Sequence, residues 1–126
     1  MSDPVVLLVE DQEDNRVLVR KLLERAGFRV VEALDGRQAL AEAAALRPDL
    51  ILLDISLPEI DGLTVARTLR ASPELRGLLI VALTAHAMDG DRAKILEAGC
   101  DEFMTKPIDV PTFVPTIRRI LEHRRT

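Results

Sequence analysis

Short apolar runs alternate along this chain with segments whose apolar residues recur at helical spacing. The runs Val5–Val9 and Leu50–Leu53 contain no polar residue, a pattern typical of parallel strands buried on both faces. Three further strands are predicted, over 28–32, 78–83 and 102–105. Helices are predicted between and after the strands, over 13–26, 36–46, 62–71, 89–98 and a last segment that runs to about Arg125.

Each predicted strand is followed by one helix, which indicates a parallel sheet with right-handed crossovers and helices on both faces. A closed barrel of eight such units needs about 250 residues. This chain has 126 residues, so we expect an open, doubly wound α/β sheet. In open sheets of this kind, functional groups gather beyond the carboxyl ends of the strands.

Polar side chains of complementary chemistry stand at these strand ends: Glu10-Asp11, Asp54, Thr84 and Lys106. If the first and third strands are neighbours, three carboxylates converge, which is unfavourable unless protons or a cation offset their charge. A set of oxygen ligands suits Mg²⁺. With a hydroxyl and an ammonium beside it, such a site fits phosphoryl transfer. Taken singly, each residue has a structural alternative, as when an acidic residue only caps the next helix.

Composition narrows the classes of function. The net charge of −4 argues against DNA or an anionic membrane as the main partner. Three Phe and no Tyr or Trp argue against stacking on bases. One cysteine and two histidines exclude an internal disulfide and a Cys/His zinc site. Without a signal peptide or an apolar run of membrane-spanning length, we expect one cytoplasmic domain over residues 1–126, with its core at about 5–124.

The sequence resembles the receiver domain of two-component response regulators over nearly its whole length. The motifs that carry the resemblance are Val9-Glu10-Asp11, Leu53–Pro58, Asp61-Gly62, Leu83–Ala85 and Lys106-Pro107. The resemblance implies a flavodoxin-like fold with strand order 2-1-3-4-5 and five helices. The stretch from Thr84 to Cys100 is similar to single-domain receivers of the chemotaxis-regulator and DivK types, and also to receivers fused to hybrid histidine kinases.

The resemblance also implies a role for each site residue. Asp54 would accept a phosphoryl group from the phosphohistidine of a sensor kinase or phosphotransferase. The cofactor would be Mg²⁺, or Mn²⁺, with Asp11, Asp54 and the backbone carbonyl of Ser56 as direct ligands. Glu10 would assist through water, and Lys106 would pair with the acceptor or its phosphoryl group. The protein would catalyse its own phosphorylation and dephosphorylation without being a turnover enzyme.

The implied switch couples Thr84 to Phe103. Thr84 would move to the phosphoryl oxygen, Phe103 would turn inward, and the face formed by the fourth helix, the fifth strand and the fifth helix would change its affinity for an effector protein. The implied structural positions are Pro58, Gly62 and a cis peptide bond before Pro107. Ser56 and His86 stand at positions that, in the family, tune dephosphorylation; for His86 the alternative is an exposed loop residue.

Three further features are less specific. Asn15-Arg16 opens the first helix, where the family often meets its kinase, and the alternative is a solvated helix start. Cys100 is expected to be a small buried filler. Pro111 and Pro115 conflict with one regular helix, so the last helix is expected either to begin near Thr112 or to start with a kink.

Other classes of function remain open on this architecture. A flavodoxin-like electron carrier would need a phosphate-binding loop after the first strand, where this chain is acidic, and rings around the flavin. An aspartyl phosphohydrolase would typically have a second acid where Ser56 stands. A third alternative is the receiver part of a hybrid kinase, of another multidomain regulator or of a transcription factor.

Overall fold

The computed structural model describes residues 3–85 and 89–125. Within these residues, five strands and five helices alternate strictly. The strands are β1 (Val5–Val9), β2 (Arg29–Ala33), β3 (Leu50–Asp54), β4 (Ile80–Thr84) and β5 (Glu102–Thr105). The helices are α1 (Glu13–Arg25), α2 (Gly36–Leu46), α3 (Gly62–Ala71), α4 (Asp89–Glu97) and α5 (Val110–Arg125).

The strands form one parallel sheet in the order β2-β1-β3-β4-β5, which confirms the expected doubly wound architecture. From β1 the chain first adds β2 on one side and then adds β3 on the other side. The switch point of the sheet therefore lies between β1 and β3. Their carboxyl ends lie side by side because Val9 pairs with Leu53. The residues that follow them, Glu10 and Asp54, therefore meet at one edge of the sheet.

Among the described residues, buried apolar side chains form two cores, one on each face of the sheet. The alternation of side chains along β1 shows how the two cores are divided. Leu7 and Val9 face the core that α2, α3 and α4 cover, and Val6 and Leu8 face the core of α1 and α5. All four side chains have 0% exposure. The absence of polar residues from this strand therefore reflects burial on both faces.

Two strands begin later than the sequence predicts. β4 begins at Ile80, two residues later than predicted, because the chain before it is held in a turn in which the Leu78 N–H donates to the Leu75 carbonyl. β2 runs one residue later than predicted, from Arg29, since the Phe28 N–H closes the end of α1 on the Leu23 carbonyl.

Of the two alternatives expected for the last helix, the later start near Thr112 is wrong. α5 begins at Val110, and the Asp109 carbonyl accepts from the N–H groups of Thr112 and Phe113. Pro111 lies in the first turn, where a missing N–H costs nothing. Pro115 lies inside the helix at an exposed position. It has no N–H to donate to the carbonyl of Pro111, four residues earlier, and water can take the place of that donor.

Arg70 at the end of α3 fastens the sheet edge opposite the switch point. Its guanidinium donates to the carbonyls of Gly99, Arg76 and Leu78 at 2.6–2.7 Å, and it pairs with the Asp101 carboxylate at 2.7 Å. The same carboxylate accepts from the Ile80 N–H. One arginine thus joins the turn before β4 to the loop before β5.

Candidate functional site

The site lies at the carboxyl edge of the sheet, around the ends of β1 and β3. Asp54 is the last residue of β3 and is 2% exposed, and Glu10 directly follows β1 and is 1% exposed. Asp11 stands on the exposed rim beside them. One carboxylate oxygen from each of these three residues lies within 4.8 Å of the others. The structure thus brings together the three carboxylates that the sequence predicts at one place.

Lys106 faces two of these carboxylates. Its ammonium Nζ is 3.0 Å from Glu10 Oε1 and 3.1 Å from Asp54 Oδ2. The Lys106 N–H donates to the Thr84 carbonyl at 2.8 Å, which extends the β4–β5 ladder past the end of β5 and aims the side chain at the site. The peptide bond between Lys106 and Pro107 is cis.

The loop after β3 orients the Asp54 carboxylate. The Ser56 N–H donates to Asp54 Oδ1 at 3.0 Å, while the other oxygen faces Lys106. Gly62 opens α3, its N–H donates to the Ile55 carbonyl, and a Cβ atom on it would lie 2.3 Å from the Asp54 carbonyl oxygen. Only glycine lets the helix approach the strand this closely. Pro58 is an exposed residue of the same loop.

The charges of the site explain two shifted pKa values. Burial raises the pKa of the Glu10 carboxyl to about 7, and the neighbouring Asp54 acts in the same direction against the opposing effect of Lys106. Burial acts to lower the pKa of Lys106, but its contacts with Glu10 and Asp54 outweigh burial and raise it above its usual value. The site thus contains three carboxyl groups and one ammonium, an excess of negative charge that a divalent cation would offset.

Thr84 ends β4 and is 5% exposed. Thr84 and Thr105 occupy paired positions on β4 and β5, as do Ala82 and Phe103 two residues earlier. Because side chains alternate along a strand, Thr84 and Phe103 share one face of the sheet. Phe103 is half-buried against the core of α2–α4, and the Arg92 guanidinium lies 5.3 Å from its ring centre. His86 lies outside the described residues.

Two contacts of this site were not predicted by the sequence pattern. It paired Lys106 with Asp54 and did not foresee the closer contact with Glu10. It also offered a kinase contact or a solvated helix start for Arg16, whose side chain is in fact only 16% exposed and turned toward the β1–α1 loop. A basic residue in the first turns of a helix opposes the helix dipole, and that conflict was an available signal for a specific partner.

Cys100 lies away from the site, in the core of α2–α4, and is 5% exposed. Burial raises the pKa of its thiol to about 11. At pH 8 the thiolate fraction of the folded protein is then about a hundredfold below that of an ordinary thiol. We expect Ellman's reagent to modify the native protein at least about a hundredfold more slowly than the urea-unfolded chain. Equal rates in the two states would contradict burial of this thiol.

The sheet order defines a flavodoxin-like α/β protein. The carboxylate cluster at the switch point is an acidic site of the kind that can hold a metal ion. The chain belongs to the response regulator receiver domain family, whose model matches residues 6–118. It is 45% identical over 116 residues to the polar-differentiation response regulator DivK of Brucella anthropi, an alignment that covers 92% of this chain and 94% of that protein.

Solved structures agree with this assignment. The receiver domain of the sensor histidine kinase PA1611 from Pseudomonas aeruginosa has a TM-score of 0.88 at 36% identity, covering 96% of this chain and 99% of that one. That structure has a magnesium ion coordinated in its active site cleft. The chemotaxis protein CheY4 of Vibrio cholerae has a TM-score of 0.89 at 28% identity, covering 94% of this chain and 99% of that one. In the described part of the present chain, no helix is both long and apolar enough to span a membrane.

Proposed function

We propose that this protein is a phosphorylation-dependent signalling switch in which Asp54 accepts the phosphoryl group. The observation that carries the proposal is the buried Asp54 carboxylate at the end of a central strand, 3.1 Å from the Lys106 ammonium and grouped with two further acids. Such an arrangement presents a fixed nucleophile with cationic support beside it. The donor would be the phosphohistidine of a sensor kinase or a histidine phosphotransferase.

The Asp54 carboxylate is oriented by contacts on both of its oxygens. The Ser56 N–H fixes Oδ1, and Lys106 fixes Oδ2. In the reaction an Asp54 oxygen forms the new bond to phosphorus while the bond from phosphorus to the histidine nitrogen breaks. Because both partners belong to the scaffold around β3 and β5, the nucleophile needs little reorganisation before it reacts.

The residues present fit a divalent cation, because oxygen atoms of Glu10, Asp11 and Asp54 converge within 4.8 Å and Asp11 lies on an open rim. We assign direct ligation to Asp11, Asp54 and the backbone carbonyl of Ser56, with Glu10 acting through water. Bound Mg²⁺, or Mn²⁺ in its place, would neutralise charge on the phosphoryl oxygens and the carboxylates. Lys106 then has a second task, since its ammonium can pair with the added phosphoryl group.

Thr84 and Phe103 form the proposed relay to the surface. A small cavity of about 110 Å³ lies beside Thr84, lined by Ile55, Leu63 and Ile95 among others. A hydroxyl drawn toward the phosphoryl group would vacate space on the face that Thr84 shares with Phe103. The Phe103 ring, which carries no hydroxyl, would respond through packing alone and change the surface of α4, β5 and α5 that an effector protein contacts.

In this proposal the protein acts as one receiver domain in the cytoplasm, between a kinase or phosphotransferase and an effector protein. Its only catalysis is on itself, by phosphoryl uptake and later hydrolysis. A place within a hybrid kinase phosphorelay uses the same chemistry. The DivK relative is covered over 94% of its length, so that protein contains little beyond the matched receiver domain.

Beryllofluoride, a mimic of the phosphoryl group, tests the site without a kinase. With Mg²⁺ and beryllofluoride at about a hundred times the dissociation constant, we expect the melting temperature to rise by roughly 10 °C. Mg²⁺ alone and beryllofluoride alone serve as controls and should give clearly smaller shifts. A melting temperature that does not respond to the combination would refute the proposed acceptor site.

A further inference from the structure

Arg16, in the second turn of α1, extends back over the acidic loop that precedes its own helix. Its Nη1 donates to the Glu10 carbonyl at 3.2 Å and to the Asp11 carbonyl at 3.3 Å. These carbonyls belong to two of the three residues whose carboxylates form the cluster that could hold a metal ion. One guanidinium nitrogen therefore contacts the backbone on which both carboxylates are mounted.

The same guanidinium is anchored on its other side. Its Nε lies 2.6 Å from the Glu32 carboxylate, on β2. Glu32 pairs with Leu8 across the sheet, and the Glu10 N–H donates to the carbonyl of the next β2 residue, Ala33. Arg16 thus bridges a fixed point of the sheet to the first turn of the loop that leaves it.

We propose that Arg16 is a positioning residue that holds the Glu10–Asp11 backbone so that its two carboxylates converge with Asp54 on the cation. This inference rests on the proposed function, because it assumes that the acidic cluster binds Mg²⁺. Backbone and side-chain groups outside the ligand shell commonly orient metal ligands, and losing one such contact typically weakens metal binding about 10- to 100-fold.

The sign of the effect separates positioning from simple electrostatics. Arg16 is a cation near a site for a cation, so its charge by itself opposes Mg²⁺ binding. If the charge were its whole contribution, a neutral residue would bind Mg²⁺ more tightly. If Arg16 holds the loop, the same replacement weakens binding.

The geometry also requires an arginine. Three acceptors at different directions, two carbonyls and one carboxylate, are reached from one planar group. A lysine ammonium is a point charge on a flexible stem and lacks this fixed fork. Arg16→Lys keeps the charge and removes the fork, so we expect it to behave like the neutral variant.

Arg20 provides a matched control on the same helix, one turn later. It also pairs with Glu32, and it pairs with Glu24. Among the described residues, no hydrogen bond joins Arg20 to the Glu10–Asp11 backbone. Arg20→Gln therefore removes the same charge and a similar ion pair but leaves the loop contacts of Arg16 in place.

Isothermal titration of the purified protein with MgCl₂ tests the proposal, with urea unfolding in chelator as a check of the fold. We expect the Mg²⁺ dissociation constant to rise about tenfold in Arg16→Gln and in Arg16→Lys, and less than about twofold in Arg20→Gln. Glu32→Gln leaves Arg16 present but removes the charge of its ion-pair partner. Its Mg²⁺ dissociation constant should lie between those of the Arg16 variants and that of Arg20→Gln. If Arg16→Gln unfolds, Arg16→Lys and Glu32→Gln carry the test.

The outcomes are distinct. A wild-type protein that does not bind Mg²⁺ overturns the proposed function and this inference together. A wild-type protein that binds Mg²⁺, with Arg16→Gln binding equally well or more tightly, overturns the inference alone. Recovery of wild-type affinity in Arg16→Lys, or an equal loss in Arg20→Gln, likewise contradicts a role for the arginine fork at the loop.

Discussion

Replacement of Asp54 by asparagine is expected to abolish phosphoryl uptake. The amide oxygen can still accept from the Ser56 N–H, so the loop geometry is kept. The amide is not a nucleophile, however, and the contact of Lys106 with a charged oxygen is lost. With radiolabelled acetyl phosphate and Mg²⁺, we expect labelling to fall at least about a thousandfold, since removal of an enzyme's nucleophile can cost up to about a millionfold in rate.

The fold of this variant should persist. Asp54 is one of the influences that raise the pKa of Glu10, so its replacement removes like charge from a buried cluster. The unfolding free energy at pH 7 in chelator should therefore be no lower than that of the wild type. Circular dichroism is a suitable probe, since the chain has no Trp or Tyr.

Asp61→Asn is the matched control for the acceptor. Asp61 lies in the same loop and caps α3 by accepting from the Thr64 N–H, a task that asparagine also performs. The control removes one negative charge near the site without touching the acceptor, so labelling should stay near the wild-type level. Acid-labile label at an equal rate in Asp54→Asn would place the acceptor elsewhere.

Gly62→Ala is expected to damage both stability and the site. The added Cβ would lie 2.3 Å from the Asp54 carbonyl oxygen and 2.8 Å from the Ile55 Cα, and both are backbone atoms that a rotamer change cannot move. We expect a loss of about 3 kcal/mol in the free energy of unfolding, as for a severe case of overpacking. A displacement of Asp54 by about 1 Å would also reduce phosphoryl uptake about a hundredfold.

Gly77→Ala tests whether any glycine replacement has this effect. A Cβ on Gly77 meets no atom within 4 Å, so its unfolding midpoint in urea should lie close to that of the wild type. Similar midpoints for both alanine variants would show that α3 is not tightly seated on the end of β3. Labelling of Gly62→Ala is to be measured where it is fully folded, so that loss of structure and misplacement of Asp54 are separated.

Most of the fold could be predicted from the sequence because the apolar residues of the core recur at the spacing of the strand or helix to which they belong. Apolar runs such as Leu50–Leu53 mark strands buried on both faces, and helical spacing marks the segments between them. The start of α5 was not predicted correctly, because two prolines near its beginning suggested a later start or a kink. α5 begins at Val110 although Pro115 lies inside it, because Phe113 and Ile117 bury one face of the helix against the sheet, and that tertiary packing outweighs one missing hydrogen bond.

Which chemical groups meet at the switch point follows from the amino-acid sequence alone. Asp54, Thr84 and Lys106 stand at or just beyond strand ends, and parallel strands deliver their carboxyl ends to one edge of the sheet. Residue type and spacing suffice for that, because each position follows from its own strand.

How these groups pair depends on the packing of the helices and strands. Lys106 contacts Glu10 as well as Asp54, burial raises the pKa of Glu10, and Arg16 reaches back to the carbonyls before its helix. Such contacts depend on distances between elements far apart in the chain and on how deeply each group is buried. Periodicity carries no information on either quantity, so the pairing of charges appears only once the helices are packed on the sheet.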